Sequence, residues 1–253
     1  MIAQFSLRLI CGMSMMWGLM PRSQVTSGFF RIQMLVVLGL SALSALTIGQ
    51  LVGDRGQTLL THAVGTWICV ILALSAFLGS VMWTLERRRA GSFFVFLIAA
   101  ESTGMLLLTT TPLGSFTGML QLLSELSTAS MLGAAMTGML LGHWFLTAPT
   151  MSITPLSRLN LYFAVAGLVR LVVSGIGLIS AWDQIADSTH WLWLALRWLA
   201  GIIGPLLMVV MVWRILKYRN TQAATGVLFV SVVLVIIGEL SAALLSRELQ
   251  TPV

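Results

Sequence analysis

Two histidines stand at the start of long apolar stretches and are the first candidates for a cofactor site. A neutral imidazole is a common ligand for haem iron and for other metal ions. His62 and His190 each begin such a stretch, and Arg197 follows His190 by two helical turns on the same helix face. This pattern predicts a haem b or metal site at the two histidines, with Arg197 pairing a haem propionate. The alternative is that both histidines only cap helices at the membrane surface.

Other ionisable residues lie deep inside apolar stretches, where an unpaired charge is costly. Glu101 and Arg170 fall near the middle of their stretches, so the sequence predicts a buried ion pair between them. Such a pair is either a structural clamp or part of a proton or anion pathway. Glu239 and His143 are the remaining intramembrane candidates. A lone histidine at such a depth either hydrogen-bonds a neighbouring helix or relays protons.

The first apolar stretch is rich in methionine and offers soft ligands. Cys11 and Met15 are one helical turn apart, and thiol and thioether groups suit Cu(I), although the same side chains are ordinary packing material. The chain has no Walker loop, dinucleotide fingerprint, HExxH or CxxC motif. The motif content therefore does not indicate an enzyme.

The composition indicates an integral membrane protein over the whole length. Hydrophobic residues make up 58% of the 253-residue chain and charged residues only 9%, whereas a soluble domain carries about a quarter charged residues. The net charge of +6 comes from short basic loops rather than from an arm suited to nucleic acid. The expected environment is a lipid bilayer, with other membrane subunits as candidate partners and no nucleic acid.

Apolar stretches of about 20 residues predict eight transmembrane helices in an all-α fold. The predicted helices are Ile2–Met20, Phe29–Val52, Thr58–Leu85, Ser92–Thr111, Met119–Leu146, Ser157–Trp182, Trp191–Leu216 and Gln222–Ser246.

Basic residues cluster in the loops on one side of this eight-helix arrangement. The positive-inside rule places that side in the cytoplasm and both termini outside, as expected for a bacterial inner membrane. The residues concerned are Arg22, Arg87, Arg88, Arg89, Arg158, Arg214, Lys217 and Arg219.

The two halves of the chain resemble each other, which predicts two parallel four-helix repeats, residues 1–115 and 116–253. Both halves enter the membrane from the same side because each has an even number of helices, so their axis runs along the membrane normal. The matching pairs are Trp17 with Trp144, Pro21 with Pro149, Arg31 with Arg158, His62 with His190 and Trp83 with Trp213. His143 has no histidine counterpart.

Smaller patterns predict how individual helices pack and bend. Small residues recur at every fourth position in Ser130, Ala134, Gly138 and Gly142, which favours close helix packing. Pro205 lacks an amide hydrogen and predicts a kink in the seventh helix. Tryptophans near helix ends predict interfacial belts at Trp17, Trp83, Trp144, Trp182, Trp191 and Trp213.

Three function classes remain open from the sequence. The short loops and missing catalytic motifs favour a non-catalytic accessory or assembly component of a membrane complex. A haem b- or metal-binding electron-transfer protein would use His62 and His190. A small proton-coupled transporter would use Glu101 and Arg170, with His143 as a further candidate.

Overall fold

A computed structural model describes residues 1–54, 61–109, 116–148, 150–182 and 187–249, and these residues form helices and short turns without a strand. The helices are α1 (Ile2–Leu19), α2 (Ser27–Asp54), α3 (His62–Thr84), α4 (Arg88–Leu108), α5 (Phe116–Trp144), α6 (Thr154–Ala181), α7 (Ser188–Trp198), α8 (Gly204–Lys217) and α9 (Thr221–Leu249). A 3-10 turn joins α1 to α2, and a π-helical segment, Leu199–Ile203, joins α7 to α8.

Seven spans in the described part of the chain are long and apolar enough to cross a membrane. One of them, Ser188–Lys217, runs through α7, the π-helical segment and α8. The eighth predicted helix is α5, which has 29 residues but a lower hydropathy than the seven spans. Its surroundings explain this difference, because α5 packs against α1, α6 and α9 and needs few lipid-facing side chains. The described residues therefore have the helices of a polytopic membrane protein.

The helices group into two rings of four in chain order. In the first ring, α1 and α3 each contact both α2 and α4. In the second ring, α5 and α8 each contact both α6 and α9. The main contact between the rings is the pairing of α1 with α5, which we call the central seam.

Glycine brings the two helices of the central seam into backbone contact. A Cβ atom on Gly12 would collide with the backbone of Ala129 and Gly133, and one on Gly133 would collide with the backbone of Gly12. Close approach of this kind is common at membrane helix interfaces, where dispersion replaces the hydrophobic effect as the driving force. The seam is therefore closed to any larger residue at these two positions.

The predicted small-residue stripe on α5 faces a different neighbour at its C-terminal part. Gly142 lies against Thr225 and Gly138 against Leu228, both on α9. The predicted close packing is confirmed there. Gly133, the α5 glycine of the central seam, is not a member of the predicted stripe, and the spacing argument did not identify it.

Contacts between helix ends show that all the basic turns lie at one end of the bundle. Trp144 Nε1 at the end of α5 donates to Thr26 Oγ1 beside the start of α2, at 2.8 Å. Tyr162 OH near the start of α6 donates to the carbonyl of Leu19 at the end of α1, at 3.3 Å. We call this end, which carries Arg22, Arg87, Arg88, Arg89, Arg158, Arg214, Lys217 and Arg219, the basic end.

Two tryptophans predicted for an interfacial belt are buried instead. Trp17 and Trp83 have relative exposures of 0% and 1%, and the Trp83 ring stacks on Phe30 with centroids 4.4 Å apart. The belt prediction is wrong for these two because the ends of α1 and α3 are covered by neighbouring helices. Trp182, Trp191 and Trp213 are exposed, as expected for a belt.

Some predicted positions lie outside the described residues. They are the start of the third helix at Thr58, the end of the fourth at Thr111, the repeat match at Pro149, the last residue of the first repeat, 115, and the end of the second repeat, 250–253.

Candidate functional site in a buried charged network

Five helices direct charged side chains to one level inside the bundle. The level is about nine residues, or roughly 13 Å, from the helix ends opposite the basic end, given the rise of a helix. The residues are Arg8 on α1, Glu125 on α5, Arg170 on α6, Arg197 on α7 and Glu239 on α9, and the exposures of their side chains are 15%, 3%, 3%, 0% and 2%.

Glu239 is the centre of the network. Arg170 binds its carboxylate in a bidentate manner, with Nε to Oε1 and Nη2 to Oε2 both at 3.1 Å. Arg197 Nη1 donates to Oε1 at 2.8 Å, and Thr128 Oγ1 donates to Oε2 at 2.9 Å. One carboxylate therefore accepts hydrogen bonds from two guanidinium groups. Such charge-assisted hydrogen bonds are stronger than those between neutral groups.

Two serine hydroxyls accept hydrogen bonds from the buried arginines. Arg170 Nη1 donates to Ser124 Oγ at 2.8 Å, and Arg197 Nη2 donates to Ser174 Oγ at 2.7 Å. Arg197 Nε is buried and has no acceptor among the described residues. An unsatisfied donor on a buried cation is costly, so this nitrogen marks the place where the protein itself does not complete the network.

A second ion pair lies on the central seam. Arg8 holds Glu125 through Nε to Oε2 at 2.5 Å and Nη2 to Oε1 at 2.8 Å, while Gln4 Nε2 donates to the same Oε1. Arg8 is the most exposed member of the network. The pair therefore lies between the buried centre and the surface.

The formal charges of the network do not cancel. Three arginines face two glutamates, which leaves one excess positive charge if all five groups are ionised. An uncompensated charge in a buried site costs several kcal/mol, and in a membrane the cost is at least as large. The arrangement is thus suited to the binding of an anion.

The span that carries Arg197 changes from α-helix to π-helix shortly after this residue. Leu199–Ile203 is π-helical, and Gly204 N–H donates to the carbonyl of Leu199. Pro205 follows in the first turn of α8, and Gly201 lies against the backbone of Gly238 on α9. A π-helical segment therefore lies just before Pro205, the residue from which the sequence predicted a kink. Single π turns of this kind are frequent at functional sites.

The predicted ion pair between Glu101 and Arg170 is wrong. Arg170 binds Glu239, while Glu101 accepts a hydrogen bond from Ser75 Oγ at 2.9 Å. The reason is the ring arrangement, because α4 packs on α1 and α3 whereas α6 packs on α5 and α8. Equal depth along two helices does not make them neighbours.

This difference gives a first prediction, for Glu101→Gln. We expect the free energy of unfolding to change by less than about 1 kcal/mol, because glutamine keeps an acceptor for Ser75 and no arginine loses its partner. Thermal unfolding of the purified variant and the wild-type protein measures this change in stability. A loss of folded protein would show that Glu101 has an essential cationic partner.

The structure places Arg197 and Glu239 together, which the sequence did not indicate. Arg197 was predicted to pair a haem propionate, but its partner is Glu239. A usable signal was present, since two arginines deep in apolar stretches require acids at a similar depth. Glu239 had that depth, but its helix could not be assigned a neighbour.

The two predicted haem ligands lie on different rings. His62 is exposed on α3, beside Gly49 of α2. His190 Nε2 lies 2.7 Å from Glu248 Oε2 of α9. The structure does not bring the two imidazoles onto adjacent helices, and the described residues contain no group of three or more His, Cys, Asp or Glu arranged to hold a metal. The haem site stays an untested prediction.

The remaining candidates stand apart from the network. His143 is exposed in the last turn of α5, at the basic end. Cys11 Sγ lies 3.8 Å from Met15 Sδ and 3.4 Å from Thr103 Oγ1, and it is fully buried. The contact with Met15 is within α1, and the contact with Thr103 packs α1 against α4.

Comparison with protein-family models, with curated proteins and with solved structures finds no match for this chain.

Proposed function

We propose that this chain is a membrane carrier for a small anion, which binds beside Arg197 in the buried network. The observation that carries the proposal is the sharing of Glu239 by two buried arginines, one of which, Arg197, lies just before a π-helical segment of its span. π-Helical turns within α-helices are frequent at functional sites. Arg197 Nε, which has no acceptor among the described residues, supplies a donor for the anion.

The predicted internal repeat is part of this proposal. Each half of the chain, residues 1–115 and 116–253, contains one ring with the same order of neighbouring helices. Parallel repeats about an axis along the membrane normal are a known transporter architecture. We further propose that the basic end faces the cytoplasm of a bacterial cell, with both termini outside, following the positive-inside rule.

Glu101 gives the proposal a candidate for proton coupling. Its Oε1 accepts from Ser75, and its Oε2 has no partner in the described part of the chain. A carboxyl group within a span is a common proton carrier in transporters. Coupling of proton and anion transport would therefore involve an acid on the first ring, Glu101, and an anion site on the second ring, beside Arg197.

Anion binding is tested by thermal unfolding of the purified protein in chloride or acetate, with gluconate at the same ionic strength as the reference. A ligand that binds only the folded state adds about 2.7 kcal/mol at roughly 100 times its Kd. We expect chloride or acetate to raise the midpoint of the wild-type protein. Flux is then measured in proteoliposomes with a chloride or acetate gradient. Flux under an imposed pH gradient is compared between the wild-type protein and Glu101→Gln.

The matched variant for both assays is Arg197→Gln. It removes the excess charge and leaves Glu239 bound to Arg170, so the protein should fold and lose its response to anions. If the wild-type midpoint is the same in all three anions and no flux is seen, the carrier proposal fails. The accessory-component hypothesis from the sequence then becomes the better one.

A further inference from the structure

A cavity of about 540 Å³ opens at the basic end, inside the first ring. It lies between the turn that joins α1 to α2 and the start of α4. Its charged lining consists of three arginines, Arg22, Arg88 and Arg89, and its walls include Ser23 and Ser92. Glu86, in the turn before α4, is not part of the lining. Ligand sites in proteins have volumes of about 300–1,000 Å³, so the cavity is large enough for a small molecule or a headgroup.

Hydrogen bonds hold two of these arginines in place. Arg22 Nη1 donates to the carbonyls of Trp17 at 3.2 Å and Gly18 at 2.7 Å, and its guanidinium lies 4.8 Å from the Phe96 ring centroid. Arg88 Nη1 donates to the carbonyl of Ser23 at 3.2 Å, which ties α4 to the turn after α1. These bonds bring the positive charges of two separate turns to the same cavity. The cavity is therefore a preformed basic pocket rather than a random surface cluster.

We propose that this cavity binds a phosphate group, carried either by an anionic phospholipid or by a soluble phosphate ester. Guanidinium groups match phosphate oxygens in charge and geometry. The cavity lies where the spans end, which is the level of lipid headgroups, and basic pockets between transmembrane helices bind such headgroups. The start of α4 adds the partial positive charge of a helix N-terminus. This inference is independent of the anion site near Arg197.

The test uses the full chain purified in detergent, with phosphatidylglycerol, phosphatidylcholine and glycerol 3-phosphate as probes. The readout is the apparent affinity from the shift of the thermal midpoint, followed by tryptophan fluorescence. The main variant is Arg89→Glu. An acid in the first turn of a helix is favourable, so the midpoint without lipid should stay the same or rise, while the affinity for phosphatidylglycerol should fall by roughly tenfold or more.

The matched control is Arg158→Glu, an equal charge change near the start of α6 at the same end of the bundle and outside the cavity. It should leave the affinity unchanged. Ser92→Trp fills the cavity without changing its charge and should also abolish binding. An equal loss in both glutamate variants, or full binding by Ser92→Trp, would overturn the proposal. Binding of phosphatidylglycerol alone identifies a lipid site, whereas equal competition by glycerol 3-phosphate identifies a site for soluble esters.

Discussion

Glu239→Gln is expected to destabilise the folded protein by about 3–5 kcal/mol, the range found when one partner of a buried ion pair is removed. The variant leaves Arg170 and Arg197 without their shared carboxylate, and it raises the excess charge of the network from one to two. This loss is a large fraction of the about 5–15 kcal/mol by which a native domain is stable. The measurement is the amount of monodisperse protein in the membrane and its thermal midpoint.

The control for this prediction is the double variant Glu239→Gln with Arg197→Gln. It returns the network to one excess positive charge and should recover a large part of the lost stability. Glu101→Gln is the comparison, because Glu101 is an acid at a similar depth that binds Ser75 rather than an arginine. If Glu239→Gln and Glu101→Gln have the same midpoint, Glu239 is not the centre of the network.

Gly12→Ala is expected to open the central seam and cost about 3 kcal/mol or more, at the upper end of the range for overpacking. The added methyl group meets the backbone of Ala129 and Gly133, which cannot rotate away as a side chain could. Gly133→Ala should behave in the same way because its Cβ would meet the backbone of Gly12. Detergent titration or thermal unfolding of the purified variants measures the effect.

Two other helical glycines serve as matched controls. A Cβ atom at Gly39 or Gly104 would meet nothing within 4 Å. Alanine there should be neutral or stabilising by about 0.5–1 kcal/mol, because it reduces the freedom of the unfolded chain and favours the helix. Equal midpoints for Gly12→Ala and Gly104→Ala would show that the two seam helices do not touch at this level.

The helices could be predicted because a membrane span needs a long apolar stretch, and this requirement is local in the sequence. The eight predicted stretches correspond to the observed helices, including α5. Pro205 also indicated an irregular place in its helix, where the π-helical segment lies, since a missing amide hydrogen is a property of one residue.

Neighbour relations between helices could not be predicted, and the site depended on them. Glu101 and Arg170 have suitable depth and opposite charge, but they belong to different rings. Trp17 and Trp83 have the sequence position of interfacial residues, yet neighbouring helices cover them. Depth follows from counting along a helix, whereas lateral position depends on which helices pack together. A single sequence contains little information on the lateral position of each helix.

The shared use of Glu239 also constrains the order in which the protein can be completed during synthesis. Arg8 reaches its partner only when Glu125, 117 residues later, has entered the membrane. Arg170 and Arg197 precede Glu239 by 69 and 42 residues, and α9, which carries Glu239, leaves the ribosome after α6 and α7. Until then, both arginines need water, lipid headgroups or the insertion machinery as temporary partners. Stable integration of α6 and α7 into the bilayer is thus coupled to the arrival of α9, and a chain truncated before α9 retains unpaired charge in the membrane.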